Sequence, residues 1–171
     1  MQQKDRDAFI KTYDLYLDSI YRFVYFKVSN KEEAEDLTSS VFLKTWDYIQ
    51  NNNISDYKTL KALLYKVARN LIIDYYRKKN SQSNVGYNAE ITEDILDQDQ
   101  DLYNKVETEF DYKIIERKIF ELKDEYREVI ILKYINELSI SEIAEVIGKS
   151  NGNVRVLIYR ATNALKKIAD K

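Results

Sequence analysis

The sequence predicts an all-α protein made of two small helical domains joined by a flexible acidic linker. Apolar residues recur at three- and four-residue spacing along most of the chain, which is the period of a helix with one buried face. There is no proline, and there are only three glycines in 171 residues, so little interrupts a helix. The alternating pattern of a half-buried strand does not run for a useful length.

Three helices are predicted within residues 5 to 79, and they define an N-terminal domain over residues 1 to 79. The third helix runs from about 58 to 79, after two residues that suit a helix N-cap, Ser55 and Asp56. The apolar stripes of the three helices are Phe9, Tyr13, Leu17, Ile20, Val24 and Val28, then Leu37, Val41, Phe42, Trp46 and Ile49, and then Leu60, Leu63, Leu64, Val67, Ala68, Leu71, Ile72 and Tyr75.

A C-terminal domain is assigned to residues 112 to 171. A helix marked by Val106, Phe110, Ile114 and Phe120 leads into it, and a further helical stretch runs from Tyr126 to Tyr134. Residues 139 to 161, SISEIAEVIGKSNGNVRVLIYRA, then have the form of a helix-turn-helix.

Capping residues set the limits of this helix-turn-helix. Ser139 and Glu142 stand three apart, which is the spacing of a capping box, and Gly148 is expected to end the short first helix. The second helix starts near Ser150 or Asn151. Its buried positions are predicted to be Val154, Leu157, Ile158, Ala161, Leu165 and Ile168.

Polar and basic side chains are left on the outer face and first turns of the second helix, where recognition helices contact bases in the major groove. Arginine can bind guanine edges or phosphate, and asparagine can pair with adenine edges. On spacing alone, an ordinary packed helical hairpin is an equal alternative. The residues on this face are Asn153, Arg155, Val156, Tyr159 and Arg160.

Residues 80 to 111 are predicted to form the acidic linker. They contain one basic and nine acidic residues, against 14 and 11 in residues 1 to 79 and 12 and 9 in residues 112 to 171. The net charge of -2 therefore divides into +3, -8 and +3 along the chain. Asp97, Asp99 and Asp101 imitate the start of a calcium loop, but Leu102 and Thr108 replace its required Gly and Glu, so no calcium is expected.

The composition excludes most common enzyme designs. With no Cys and no His, the chain has no disulfide, no usual zinc site, no imidazole base and no Ser-His or Cys-His nucleophile. It has no glycine-rich phosphate loop. We therefore expect no catalytic residue, no metal and no cofactor. No apolar run is long enough for a membrane span and MQQKDRD is not a signal peptide, so we expect a cytoplasmic protein without membrane insertion.

The end of the third helix, ARNLIIDYYRKKN, mixes cations with aromatic rings. Rings can stack on unpaired bases while cations hold the backbone, which is how single-stranded nucleic acid is bound. Alternatively, Tyr75 only continues the apolar stripe, and the basic residues complement the helix dipole. Both interpretations are open at this point.

Two long segments resemble one known family. EEAEDLTSSVFLKTWDYI (32 to 49) with LKALLYKVARNLIIDYYRKK (60 to 79) is similar to region 2 of the extracytoplasmic-function (ECF) sigma factors of bacterial RNA polymerase. LKDEYREVIILKYINELSISEIAEVIGKSNGNVRVLIYRATNALKKI (122 to 168) is similar to their region 4. The domains are then a region 2 helical bundle and a region 4 helix-turn-helix.

The resemblance implies a sigma factor, not an enzyme, with core RNA polymerase and promoter DNA as partners and an anti-sigma factor as a further candidate. The recognition-helix residues named above would face the -35 element. The acidic linker would enter polymerase channels or only keep the free protein soluble. The residues that match the polymerase-docking helix are Asp36, Ser39, Ser40, Phe42 and Trp46, and those that match the -10 and melting surface are Asn52, Asn53, Lys66, Arg69, Asn70, Asp74 and Arg77.

Two other functions remain as alternatives. The chain could be a helix-turn-helix regulator that acts without core polymerase and dimerises through its N-terminal helices. It could also be a helical adaptor with no role on nucleic acid. Binding to core polymerase would distinguish a sigma factor from both.

Overall fold

A computed structural model of the protein describes residues 3–52, 57–82 and 106–170. Seven α-helices and one short π-helix follow one another along these residues, and no strand occurs among them. The helices are α1 (Gln3–Val28), α2 (Lys31–Asn52), α3 (Tyr57–Gln82), α4 (Val106–Phe120), α5 (Asp124–Ile130), the π-helix (Ile131–Ile135), α6 (Ile140–Ile147) and α7 (Asn151–Ala169).

Helices α1, α2 and α3 pack on one another and form the N-terminal group. The turn between α1 and α2 needs only two residues. Ser29 takes a left-handed conformation with φ of 57°, and the Asn30 side chain accepts a hydrogen bond from the amide of Glu33 at 3.0 Å. This bond caps α2, whose first turn carries Glu32 and Glu33 where negative charge suits the helix dipole.

The C-terminal group is built around α7, which packs against α4, α5 and α6. The capping box of α6 is confirmed, because Ser139 Oγ accepts from the Glu142 amide at 3.2 Å and Glu142 Oε2 accepts from the Ser139 amide at 2.8 Å. Ser150 caps α7 by accepting from the amide of Asn153 at 3.2 Å. The predicted limits of the helix-turn-helix are therefore correct.

Two helices of this group end at a residue in the left-handed conformation. Gly148, with φ of 69°, follows α6, and the next amide, of Lys149, donates to the carbonyl of Ala144 at 3.1 Å. After the π-helix, Leu138 donates to Leu132 at 2.9 Å, and the left-handed position is occupied by Glu137 with φ of 56°. Glycine suits such a site best because it has no Cβ.

The two groups share one apolar core. Helix α3 packs against α6, and α1 packs against α5 and the π-helix. Tyr65 of α3 is only 1% exposed, and its ring meets that of Phe23 edge to face with centroids 5.5 Å apart. Phe26 of α1 stacks on Phe120 of α4, with centroids 6.0 Å apart. The sequence did not predict this direct contact between the domains.

The predicted elements agree with the structure apart from the ends of some of them. The three N-terminal helices and the helix-turn-helix are confirmed. The linker predicted over 80 to 111 overlaps helix at both ends, since α3 reaches Gln82 and α4 begins at Val106. The proposed caps Ser55 and Asp56 lie outside the described residues. Within the described ranges, no helix is long and apolar enough to cross a membrane.

We predict that Glu137→Gly stabilises the protein by about 0.5–1 kcal/mol. The left-handed conformation costs a residue with a Cβ about 1–2 kcal/mol, and the larger entropy of glycine in the unfolded chain cancels part of the gain. Urea unfolding followed by circular dichroism would measure the change.

The matched control is Lys113→Gly, at an exposed position inside α4, where glycine should cost about 1 kcal/mol. An equal loss of stability in both variants would contradict the prediction.

Candidate nucleic-acid interface

The recognition helix α7 has one buried face and one open face. Val154, Leu157, Ile158 and Ala161 are buried against the rest of the C-terminal group. Helix α6 is fixed at the start of α7, where Asn151 Nδ2 donates to Ser141 Oγ at 3.3 Å. The helix is therefore held at its first turn and along its inner side, and its outer side is left for a ligand.

All five recognition-helix residues predicted from the sequence lie on the open face. Asn153, Arg155 and Arg160 are exposed, Val156 is 49% exposed and Tyr159 is 69% exposed. Within the described residues, neither arginine forms an ion pair. Both guanidinium groups thus have hydrogen-bond donors to offer a guanine edge or a phosphate.

A shallow groove of about 360 Å³ runs beside this face. Arg155 and Tyr159 form one wall, and Tyr134 of the π-helix, which is 57% exposed, contributes to the other. Tyr134 was not predicted as a site residue, because it continues an apolar run whose members Ile131 and Leu132 are buried and which predicts a core position. A π-helical turn changes the face on which each residue appears, and sequence periodicity does not show it.

The predicted -10 residues of α3 fall into two sets. Lys66 and Arg69 are in ion pairs with acidic residues of the C-terminal group. Asn70 is exposed, and Arg77 pairs loosely with Asp74 one turn earlier, at 3.5 Å. The first set is thus paired with the C-terminal group although its side chains remain partly exposed, whereas the second set has no such pair.

A cavity of about 510 Å³ lies between α2 and α3, beside the exposed Asn70. Its other polar lining residues are Lys44, Asp47, Asn51 and Asp74, and the ring of Tyr48, 46% exposed, forms part of the wall. Two carboxylates beside one lysine do not suit a phosphate group. The amides, the carboxylates and the ring suit the amino groups and the face of a nucleobase.

The polar loop that follows α2 is described only in part. Asn52 Nδ2 donates to the carbonyl of Tyr48 at 2.9 Å, and Asn52 does not line the cavity, whereas its neighbour Asn51 does. Asn53 lies outside the described residues.

The predicted polymerase-docking residues of α2 differ in how exposed their side chains are. Asp36 and Ser39 are exposed and Ser40 is half-buried, whereas Phe42 is 3% exposed and belongs to the core. Phe42 was named from the resemblance, but its burial means that it supports the helix and offers no surface to a partner. The half-buried Trp46 also packs inward, on Phe9, with ring centroids 4.7 Å apart.

Leu43 is the most exposed large apolar residue among the described residues of α2, and it was not predicted as a site residue. It is 67% exposed and lies one turn after Ser39 and two turns after Asp36, on the same side of the helix. Its exposure could have been predicted, because Leu43 lies outside the apolar stripe that contains Val41, Phe42 and Trp46.

The tyrosines at the end of α3 are engaged with the protein itself. The Tyr75 hydroxyl bonds to the Glu33 carboxylate, and the Tyr76 hydroxyl donates to the carbonyl of Lys27. Burial, and then the bond to Glu33, raise the pKa of Tyr75 above its ordinary value. These contacts favour a packing role for Tyr75, with Lys79 near its ring, over base stacking at this cluster.

No group of three or more Asp or Glu residues that could hold a metal ion occurs among the described residues. The two acidic side chains of α6, Glu142 and Glu145, form ion pairs with lysines of α3. Burial would raise the pKa of Glu142, but hydrogen bonds from Lys61 and Ser139 outweigh it, so the pKa is lowered. Glu142 is thus held as a carboxylate at the start of α6.

Two family descriptions match the two helical groups. Residues 12–82 match Sigma-70 region 2, and residues 112–165 match Sigma-70, region 4. The ECF RNA polymerase sigma factor SigW of Bacillus subtilis is 34% identical, covering 98% of this chain and 91% of SigW. The chain belongs to the ECF sigma factors. BldN of Streptomyces coelicolor is also similar, at 30% identity over 98% of this chain and 62% of BldN.

Two solved structures share the fold of this sigma factor. RpoE of Bartonella quintana, in complex with the anti-sigma factor NepR, has a TM-score of 0.71 at 22% identity and covers 95% of this chain and 96% of its own. CnrH, in complex with the cytosolic domain of CnrY, has a TM-score of 0.70 at 18% identity and covers 96% and 89%. Region 2 is therefore α1 to α3, region 4 is α4 to α7, and the chain acts as an RNA polymerase sigma factor.

Proposed function

We propose that this sigma factor binds core RNA polymerase through α2, reads and helps to melt the -10 element through α2 and α3, and reads the -35 element through α7. The observation that carries the proposal is the open face of α7, where four polar, basic or aromatic side chains and Val156 are exposed and no ion pair to another described residue holds either arginine. An operator-binding regulator would share this face. It would not need the region 2 helices that the chain also has.

Reading of the -35 element is assigned to Asn153, Arg155 and Arg160, with Val156 and Tyr159 beside them. The N-terminal turns of a recognition helix enter the major groove, and these side chains occupy the first three turns of α7. Arg155 lines the same groove as Tyr134 and Tyr159. Its guanidinium can bind the two acceptors of a guanine edge at once, which a lysine could not do.

Melting of the -10 element is assigned to the cavity between α2 and α3. A cavity of about 510 Å³ falls within the roughly 300–1,000 Å³ of known ligand sites, and its lining suits a base. Extruding a base costs a few kcal/mol, and a cavity that binds the extruded base offsets this cost for the correct sequence. Tyr48 would stack on the base, and Asn70 would bind its edge.

Docking on core polymerase is assigned to the exposed side of α2, with Leu43 at its centre and Asp36 and Ser39 along one edge. A large apolar side chain that is 67% exposed is a natural anchor for a protein partner. The hydroxyls of Ser39 and Ser40 donate to helix carbonyls at 3.0 Å, so they offer mainly acceptor oxygens to a partner.

We further propose functional domains over residues 1 to 79 and 112 to 171, with the acidic segment between them serving as a tether. The protein would act in the cytoplasm with RNA polymerase, and it would perform no catalytic step itself. Because the similar structure of RpoE holds a sigma factor bound to the anti-sigma factor NepR, an anti-sigma factor is also a proposed partner.

The function is tested with purified protein and core polymerase. The protein should co-elute with core polymerase in gel filtration, and the complex should give specific run-off transcripts that core polymerase alone does not. Tight, specific binding to a duplex site without any binding to core polymerase would instead support the regulator.

We predict that Leu43→Ser weakens core polymerase binding by about tenfold or more, because removal of an apolar interface anchor typically costs over 1 kcal/mol. Stability should change by no more than about 0.5 kcal/mol, since the side chain is exposed. Phe42→Ala is the contrasting variant, expected to lower stability by about 3–5 kcal/mol. Equal polymerase affinity for wild type and Leu43→Ser would exclude Leu43 from the docking surface.

We predict that Tyr48→Ala weakens binding of the holoenzyme to a single-stranded -10 oligonucleotide by about 1–3 kcal/mol, the usual loss when one stacking ring is removed. Tyr48→Phe keeps the ring and should bind like the wild type. Fluorescence anisotropy with a labelled oligonucleotide would measure both. A loss in Tyr48→Phe as large as in Tyr48→Ala would assign the effect to the hydroxyl and not to stacking.

We predict that Arg155→Ala weakens recognition of the -35 element by about 1–3 kcal/mol. The measurement compares holoenzyme binding to promoters with the native and with a scrambled upstream element. The loss should be confined to the native sequence. If binding to both promoters falls equally, Arg155 contacts only phosphate.

A further inference from the structure

The two glycines that the structure describes both lie in the helix-turn-helix, and only one of them is explained by its backbone. Gly148 follows α6 in the left-handed conformation, with φ of 69°, where glycine is the most suitable residue. Gly152 is the second residue of α7, and its φ is not positive. An alanine could adopt the same helical backbone at position 152.

Packing within the protein does not require a glycine at position 152 either. Apart from its chain neighbours and its own helix, no described atom lies within 4 Å of a Cβ added there, and the position is exposed. A glycine inside a helix is less favourable than an alanine by up to about 1 kcal/mol, because glycine loses more backbone freedom on folding. Gly152 therefore lowers the stability of α7 for a reason that the fold does not supply.

Gly152 begins the stripe of α7 that would face DNA. Positions 152, 155, 156 and 159 follow the three- and four-residue spacing of one helix face. Arg155, Val156 and Tyr159 occupy the other positions of this stripe, and all three are exposed. A side chain at position 152 would thus point in the direction from which DNA is expected to approach.

Along the middle of this stripe, the side chains become larger away from the start of the helix. Gly152 has none, Val156 has a short one and Tyr159 has a long one, over a rise of about 10 Å at 1.5 Å per residue. Arg155 lies at the edge of the stripe, about 60° around the helix from Gly152. This order of sizes fits a tilted helix whose first turn is closest to the DNA, because the space beside the helix then widens toward Tyr159.

We infer that Gly152 is the point of closest approach between α7 and the upstream promoter element. The missing side chain lets the first turn of α7 enter the major groove deeply enough for Asn153 and Arg155 to reach base edges. Recognition helices contact bases through their N-terminal residues, and glycine allows a backbone to approach a ligand closely. Gly152 is thus a positioning residue, and its role rests on the -35 function proposed for α7.

The first test separates folding from binding. Gly152→Ala should raise the thermal unfolding midpoint of the free protein by about 1–4 °C, because alanine is the better helix former. The same variant should weaken binding of the holoenzyme to a duplex promoter by about fivefold or more, comparable to the loss of one base contact. Gly152→Gln, with a longer neutral side chain, should weaken this binding further. A glycine with only a structural role would not give higher stability together with lower affinity.

Gly148→Ala is the matched control, because it adds the same methyl group at the other glycine of the helix-turn-helix. It should lower the unfolding midpoint by about 2–6 °C, since an alanine is strained at a φ of 69°. The affinity of its folded holoenzyme for the promoter should stay that of the wild type. Fluorescence anisotropy would measure binding to labelled fragments, including one that ends before the upstream element. On that shorter fragment, the Gly152 variants should bind like the wild type.

Promoter binding by Gly152→Ala that equals or exceeds that of the wild type would overturn the inference, and so would an equal loss on the shorter fragment. Arg155→Ala, measured on the same fragments, separates the inference from the function on which it rests. If Arg155→Ala weakens binding and the Gly152 variants do not, the close approach is wrong and the -35 function stands. If none of these variants changes binding to the full promoter, the -35 function of α7 is itself wrong.

Discussion

Burial of one apolar core shared by region 2 and region 4 is the constraint on which the rest of the structure depends. Tyr65, Leu64 and Ile20 of region 2 and Ile131 and Leu132 of region 4 belong to the same cluster of buried residues. Because close packing leaves little space at this contact, polar atoms there need partners within the protein. The ion pairs and the bond from Asn136 Nδ2 to the Ser19 carbonyl supply such partners, whereas the buried Asn136 Oδ1 has no hydrogen-bond partner among the described residues.

The arrangement of charge, more than its amount, explains how an acidic protein can read DNA. The net charge of -2 is the sum of two helical regions with a charge of +3 each and a segment between them with a charge of -8. A charge of +3 releases few counterions, so each region alone is expected to bind DNA weakly. Part of this charge is also used internally, because Lys61, Lys66 and Arg69 form ion pairs with carboxylates of region 4. Promoter recognition then depends on a partner that holds both regions in place.

The secondary structure was predicted correctly where it depends on residues that are close together in the sequence. The capping box of Ser139 and Glu142, the cap Ser150 and the left-handed Gly148 are all decided by neighbours within a few residues. The π-helix and the strained Glu137 were not predicted, since no residue type marks them. Phe42 was assigned to a partner surface although it is buried, because the resemblance gives the helix and not the side of it that each residue occupies.

The sequence by itself determined the helical class, the two regions, the family and the outer face of the recognition helix, because helical periodicity and capping are local properties. Only the tertiary structure decided that Leu43 and not Phe42 meets solvent, that Tyr48 and Asn70 line one cavity, and that Lys66 and Arg69 are paired with region 4. Each of these features depends on contacts between residues that are far apart in the chain. Such contacts are set by how the helices of region 2 and region 4 pack together, which a local sequence pattern does not determine.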